Sequence, residues 1–362
     1  MEVTGAPDIA VYHSITEAEA MWRALAAERQ CYVFQTFEWI LLWYQTIGGP
    51  ERVEPYIVFI KDGGGQPLMM VPLGIRRRYG CRILTFLGGD VTDYNAPLCS
   101  DRFTRDCDPT WIDCLWQKII KLSGVDLVWL QRMPETLPDG VNPLIAEAHA
   151  HHTDNAYAAT SLPATFAEFA VTRSRSYFAD SRRKRRKLER LGELALDLPQ
   201  SQEGIAQIVD AMLRQKRRRI SDSKARPMPP LQETFYRSLA NATFQHGRPH
   251  VASLRIGGEL VATHLGMLHR NRFYWLMPGF EGGDWARLSV GRILLQCLIE
   301  WCIVNRIDSF DLTVGDEEYK RFWADTRLKL YESRYAQTVR GACFLAGSRL
   351  RALAGRIGVA VR

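Results

Sequence analysis

What most restricts the fold of this chain is a series of elements met twice. Tyr56–Ile60 and Pro67–Leu73 flank Lys61-Asp62-Gly63-Gly64-Gly65, a strand pair joined by a glycine turn. His250–Arg255 and Leu260–Gly266 flank Ile256-Gly257-Gly258-Glu259 in the same way, and a further strand, Arg272–Met277, follows. Downstream of each hairpin comes an amphipathic helix. The first runs from Pro109 to Leu122, with Trp111, Leu115, Ile119 and Leu122 on one face; the second runs from Ser289 to Asn305, with Ile293, Leu294, Leu298 and Trp301. A strand closes each series, Asp126–Leu130 and Ser309–Val314. Hairpin, helix and strand repeated predict two α/β domains with mixed sheets flanked by helices. With 362 residues, each copy has enough chain to bury its own core.

Charge divides the chain where the repeat does. Residues 1–165 hold 13 Lys+Arg against 20 Asp+Glu, a net of −7, and residues 166–362 hold 34 against 20, a net of +14. The expected boundaries are an acidic first domain over 1–165, a basic second domain over 166–335, and a basic apolar tail over 336–362. Positive charge gathered in one domain points to a polyanionic ligand: a phosphorylated cofactor, a nucleic acid or an acidic lipid surface. No stretch approaches eighteen apolar residues and the first residues are polar, so neither a membrane span nor a signal peptide is expected. Eight cysteines without a C-x-x-C pair read as reduced core thiols, and the expected compartment is the cytoplasm.

Three segments of the second half could carry chemistry. Arg173–Arg190 holds nine basic residues, six of them consecutive from Arg182 to Lys187. It reads as a helix stopped by Gly192, and six adjacent cations favour a face turned to an anion over an idle solvated one. A second cluster, Arg214 with Lys216–Arg219, could line the same groove. In Ala286–Leu295 a strand and turn give way to a helix near Ser289, and helix N-termini present free N–H groups to phosphate. Ser289 is equally a plain N-cap. In Asp311–Trp323 a strand ends at Gly315, with acids in the next turn and Tyr319 just beyond. The acids suit a helix start, and Asp311 and Tyr319 are also a candidate base and acid. His149, His151 and His152 lack the spacing of a zinc site, and no metal is expected. Neither a G-x-S-x-G elbow nor a G-x-G-x-x-G loop is present.

These segments and their order resemble the CelD-like acetyltransferases of the GNAT superfamily, which carry a BioF-like acetyltransferase domain and are associated with cellulose or exopolysaccharide biosynthesis. The segments are Phe34–Trp39; Phe86–Asp90 with Asp93–Pro97; the helix Arg182–Gly192; Gly258–Ala262; Leu288–Arg292; and Phe310–Lys320. The likeness covers about residues 34–325. It implies tandem GNAT-like folds, distantly related to the FemABX peptidoglycan aminoacyltransferases, with the acyl-donor site in the second copy. It implies a transferase moving an acetyl group from acetyl-CoA to an amine or hydroxyl of a polysaccharide-related or amino-sugar acceptor. The pyrophosphate would rest on Leu288, Ser289, Val290, Gly291 and Arg292. Tyr319 would act as general acid to the leaving thiolate, with Asp311 or Asp316 as base. Arg182, Arg183, Arg186, Lys216, Arg217 and Lys320 are the expected substrate-binding cations. Two alternatives stand beside this reading. One is aminoacyl transfer from tRNA, which the basic runs suit. The other is a non-catalytic peripheral component of a polysaccharide complex, held to an anionic membrane by Arg349, Arg351, Arg356 and Arg362.

Overall fold

A computed structural model of the chain describes residues 8–28, 30–106, 109–138, 140–145, 149–223 and 227–348. They pack as two compact units, residues 1–154 with 329–362, and residues 155–328.

The first unit contains β1 (Asp8–Tyr12), α1 (Glu19–Glu28), α2 (Phe37–Trp43), β2 (Glu54–Lys61), β3 (Pro67–Arg78), β4 (Cys81–Phe86), β5 (Leu98–Cys99), α3 (Asp101–Asp106), α4 (Pro109–Ser123), β6 (Leu127–Pro134), β7 (Thr136–Leu137) and β8 (Gly140–Val141). Strands β1 to β4 run antiparallel in chain order. Through α4 the chain crosses over to β6, which lies parallel to β4 at Ile83–Leu127 and Leu84–Val128. β2 is buried along nearly its whole length, as a strand covered on both faces must be, so its sequence is continuously apolar. The β2–β3 turn is closed by the Asp62 carboxylate, which accepts the N–H groups of Gly64 and Gln66, both at 2.9 Å.

The second unit follows the same plan. Its elements begin in β9 (Ala150–Ala159) and continue with α5 (Phe166–Val171), α6 (Arg175–Leu191), β10 (Leu194–Asp197), α7 (Gln202–Ser223), α8 (Pro230–Leu239), β11 (Gly247–Ile256), β12 (Glu259–His269), β13 (Arg272–Phe280), α9 (Asp284–Arg287), α10 (Val290–Val304), β14 (Ser309–Val314) and α11 (Glu318–Trp323). Strands β10 to β13 are antiparallel, α10 crosses over, and β14 lies parallel to β13. Gly257 and Gly258, both at positive φ, form the β11–β12 turn. Ten of the fifteen residues of α10 are buried, among them Ile293, Leu294 and Leu298. α10 is therefore the centre of the second core, not a surface helix.

The packing draws the borders at 154/155 and 328/329, where the charge pattern suggested 165 and 335. The reason is strand pairing. Residues 156–159 of β9 pair antiparallel with β14, and residues 330–336 of the last strand, β15 (Thr326–Ala336), pair with β6. Residues 339–348 are helical, and Phe344 and Leu345, together with Trp129, pack against Cys81, Ile83 and Leu127 of the first unit. This stretch is thus part of the first unit and not of a separate tail; Arg349, Arg351, Arg356 and Arg362 lie outside the described residues. Gly192 ends α6 as expected but for another reason: its backbone is extended, and a Cβ there would meet the Gly257 backbone at 2.7 Å.

Of the described cysteines, Cys31, Cys81, Cys99, Cys297 and Cys302 are buried, whereas Cys114 and Cys343 are exposed. Cys107 lies outside the described residues. Among the described residues no helix is long and apolar enough to cross a membrane.

Candidate active site

β13 and β14 are paired over only three residues, Arg272–Ser309, Phe273–Phe310 and Tyr274–Asp311. Beyond Asp311 they separate, and the sequence forces the parting. The Asp311 carboxylate turns back to accept the N–H of Thr313 at 2.8 Å, and Thr313 sits at φ +59, so the register against β9 slips there. The Thr313 hydroxyl donates to the Trp275 carbonyl at 3.1 Å. Past it, Lys320 fixes the end of β14: its ammonium donates to the carbonyl of Val314 at 2.6 Å and pairs with Glu317 at 3.1 Å.

A pocket of about 250 Å³ fills the opening. Trp275, Pro278 and Phe280 of β13 form one wall, and Ser289 to Arg292 with Leu295 form another. Tyr177 of α6, Arg219 of α7 and Tyr319 of α11 complete it. The first-turn N–H groups of Val290 and Gly291 have no acceptor within α10, and they lie at the positive end of the helix dipole. Ser289 precedes them in the left-handed region, at φ +57, and its side chain caps no N–H. Its hydroxyl instead accepts the Lys184 ammonium at 2.8 Å. Gly291 leaves room for the Phe280 ring, from which a Cβ would sit 3.0 Å away.

A charged network holds this rim. Asp180 of α6 binds Arg183 at 2.7 Å, Lys184 at 3.3 Å and Arg292 at 2.9 Å. The Arg183 hydrogen bond, with those of Lys184 and Arg292, holds the Asp180 carboxyl down at about 2. The Arg292 guanidinium also lies 4.2 Å over the Tyr177 ring. Tyr177 stacks on Phe322 and accepts the Trp323 indole N–H at 3.1 Å. The next cation of the run, Arg185, makes two 3.0 Å bonds to Glu300 of α10. Part of the basic run therefore fastens α6 to α10, while Arg182, Arg183 and Arg186 remain exposed.

Of the residues singled out in the sequence, Ser289, Val290, Gly291, Arg292 and Tyr319 meet at the pocket; Leu288 packs into the core instead. Burial pushes the Tyr319 hydroxyl above the ordinary tyrosine range, with Glu317 adding to it, so it keeps its proton at neutral pH. Asp311 is 2% exposed and committed to Thr313, and neither it nor Asp316 lines the pocket. The Asp316 carboxylate accepts from the Tyr157 hydroxyl and, at 3.0 Å, from Arg321; these bonds hold it below the usual carboxylate range. Lys320, expected to meet substrate, is only 3% exposed and is spent on β14 carbonyls. Arg217 pairs with Glu233 on the surface. Lys216 is half-buried, and burial, then Arg219, lowers its pKa. His149 and His152, set aside as metal ligands, pack on Tyr335 and Tyr331.

Sequence reasoning missed Trp275, Phe280 and the hydrogen bond from Lys184 to Ser289. The alternation of Phe273 and Trp275 along β13 marks one face of that strand, but nothing local shows that the face borders a pocket. His264 proves fully buried and stacked 4.2 Å from Trp275, and burial holds its imidazole well below the ordinary histidine range.

Comparison with known proteins places this architecture. No curated protein sequence matches the chain. Among solved structures it is similar to FemX, at 8% identity and a TM-score of 0.57, over 89% of this chain and 96% of that one. A protein of unknown function from Bacteroides thetaiotaomicron gives 10%, 0.54, 90% and 99% for the same measures. L-PGS from Bacillus licheniformis gives 12%, 0.50, 91% and 95%. At such identities the likeness is one of fold. The family model described as the acetyltransferase (GNAT) domain matches residues 175–321, the span holding α6, the splayed strands and α10, so it is this part of the chain that is similar to that family.

Proposed function

We propose that the second unit transfers an acyl group, with acetyl-CoA as donor, to an amine or hydroxyl of an amino-sugar or polysaccharide-related acceptor. The observation that carries this is the pocket itself. An apolar slot between splayed strands leads to the free N–H groups of Val290 and Gly291, with Arg292, Arg219 and Lys184 around them. Such a site suits a ligand with a phosphorylated end and an apolar arm. Val290 and Gly291 would hold the pyrophosphate, and the exposed Arg182, Arg183 and Arg186 and the half-buried Lys216 would add charge for an anionic substrate.

Tyr319, protonated and on the pocket wall, would donate to the departing thiolate. Asp316 would take the acceptor's proton through water. Orienting two substrates would supply much of the rate, on the order of 7–11 kcal/mol in favourable cases.

Calorimetry with acetyl-CoA tests the donor. Micromolar binding is expected, with at least a tenfold loss in Gly291→Glu, which sets a negative charge at the helix start and a side chain against Phe280. Equal binding by the variant would remove α10 from the site. Failure to bind CoA, with salt-sensitive tRNA binding, would move the reading to aminoacyl transfer. Once an acceptor is in hand, Tyr319→Phe should lower kcat by roughly 100-fold or more at unchanged donor affinity; unchanged turnover would refute the acid assignment.

A further inference from the structure

We propose that one end of the first unit is a docking surface for an anionic phospholipid membrane, whatever group the second unit transfers. Three large apolar side chains are exposed there: Tyr79 at 75%, Leu122 at 64% and Val339 at 81%. They come from distant parts of the chain, namely the β3–β4 turn, the last turn of α4 and the start of the helical stretch 339–348. A single buried residue, Asp126, knots these segments together. Its carboxylate accepts the Arg82 N–H at 2.9 Å and the Thr338 hydroxyl at 2.7 Å, and its carbonyl accepts the Gln337 N–H at 2.8 Å. The Arg82 guanidinium donates to the Gly124 carbonyl at 3.0 Å, and that of Arg340 to the Gly80 carbonyl at 3.3 Å. Exposed apolar residues scattered singly are ordinary on a protein surface, whereas a set held together by specific bonds calls for a partner.

Tyr79 is an unexpected choice for its turn. Arg78 pairs with Cys81, so the turn has two residues, Tyr79 at φ +51 and Gly80 at φ +73. Positive φ at both places favours Asn-Gly or Asp-Gly, and a bulky ring is strained at the first of them. Being so exposed, the ring offsets little of that strain by burial. The surroundings are cationic, although residues 1–165 carry a net −7. Arg76 and Arg77, earlier in β3, are matched by Glu51 and Glu54. Arg78, Lys118 and Lys121 are exposed and make no ion pair among the described residues, and Arg82 and Arg340 share the one charge of Asp126. The Arg78 guanidinium lies 5.6 Å over the Tyr79 ring. A tyrosine, apolar in body and polar at its tip, suits the headgroup level of a bilayer; Leu122 and Val339 suit the acyl boundary beneath it, and the cations suit anionic headgroups. All three apolar residues sit where the chain turns or a helix begins or ends, which fits a fluid surface better than a shaped protein groove.

Sedimentation of the full chain with vesicles tests this. Wild type should bind phosphatidylcholine vesicles containing about one third phosphatidylglycerol at least about tenfold more tightly than phosphatidylcholine alone, and Lys118→Gln/Lys121→Gln should remove most of that preference. Tyr79→Asn gives the turn the residue it favours, so it should keep or raise the Tm while weakening vesicle binding about threefold or more. Tyr79→Asn/Leu122→Gln/Val339→Ser should weaken it about tenfold or more, with the circular dichroism of the wild type. No binding of the wild type to the anionic vesicles would overturn the proposal and leave these residues to a protein partner. Undiminished binding by the triple variant would overturn it too, assigning lipid affinity to another surface. A Tyr79→Asn protein that melts lower and binds as well as the wild type would show that the ring serves folding. None of these results depends on whether acetyl-CoA binds the second unit.

Discussion

Replacing Asp180 by asparagine removes one charge from the centre of the pocket rim while preserving shape. In the native protein this carboxylate faces three cations, Arg183, Lys184 and Arg292, and they hold its pKa at about 2 instead of the ordinary 3.8. At about 1.36 kcal/mol for each pH unit, that displacement caps the contribution at roughly 2.4 kcal/mol. The side chain is 29% exposed, so screening by solvent brings the expected loss to about 1 kcal/mol at pH 7. The sign of the pH dependence follows from linkage. The unfolded chain takes up a proton near pH 4 that the folded carboxyl refuses until about pH 2. The stabilisation is therefore complete above pH 4 and disappears as the pH falls from 4 to 2. Urea unfolding followed by circular dichroism, on wild type and Asp180→Asn at pH 7, 5, 4 and 3, reads both quantities. The gap should be constant from pH 7 to 5, begin to close at 4, and shrink in 0.5 M salt. A gap that ignores pH, or no gap at all, would show that the three cations do not depend on this carboxylate.

Two further predictions concern buried ionisable groups. Lys320→Met should cost about 1–3 kcal/mol in urea unfolding at pH 7, because the Val314 carbonyl loses its donor and the end of β14 its anchor; a change below 0.5 kcal/mol would contradict the anchoring role. His250, buried in β11 against Phe273 and Trp301, is pushed down to about 4 by burial and, secondarily, by Arg248. The unfolded imidazole takes its proton near 6.5, so wild-type stability should fall between pH 6.5 and 4, by on the order of 1–3 kcal/mol. His250→Phe should flatten part of that slope, His264 supplying the remainder, and an unaltered slope would refute the assignment. The Asp180 window lies below that of His250, so the two variants are read in different parts of one titration.

Much of this architecture is legible in the sequence because it is local. Glycines at the β2–β3 and β11–β12 turns and the apolar spacing in α4 and α10 depend on residues within one or two turns of each other, and they fix two α/β units. The helix start at Ser289–Arg292 is legible for the same reason, as free N–H groups follow from where a helix begins. The basic run is legible as a helix but not as a site. Phe178, Ser181 and Leu188 are its buried residues, and that phase sends Lys184 and Arg185 to Ser289 and Glu300 on α10 while Arg182 and Arg186 stay in solvent.

What only the tertiary structure decided are the pairings between residues distant in the chain. Asp311, near the end of a strand, and Tyr319, just beyond it, read alike as a candidate base and acid; the Thr313 bulge occupies the first, and the parting of β13 from β14 gives the second to a pocket. The borders at 154/155 and 328/329 were hidden because a strand's partner is chosen by register and burial across the sheet, and composition does not report either. Trp275 shows the same limit from the other side: the sequence makes it a strand residue, but its place on the pocket wall, stacked on His264 and tied through its carbonyl to Thr313, is set only by the packing of the sheet.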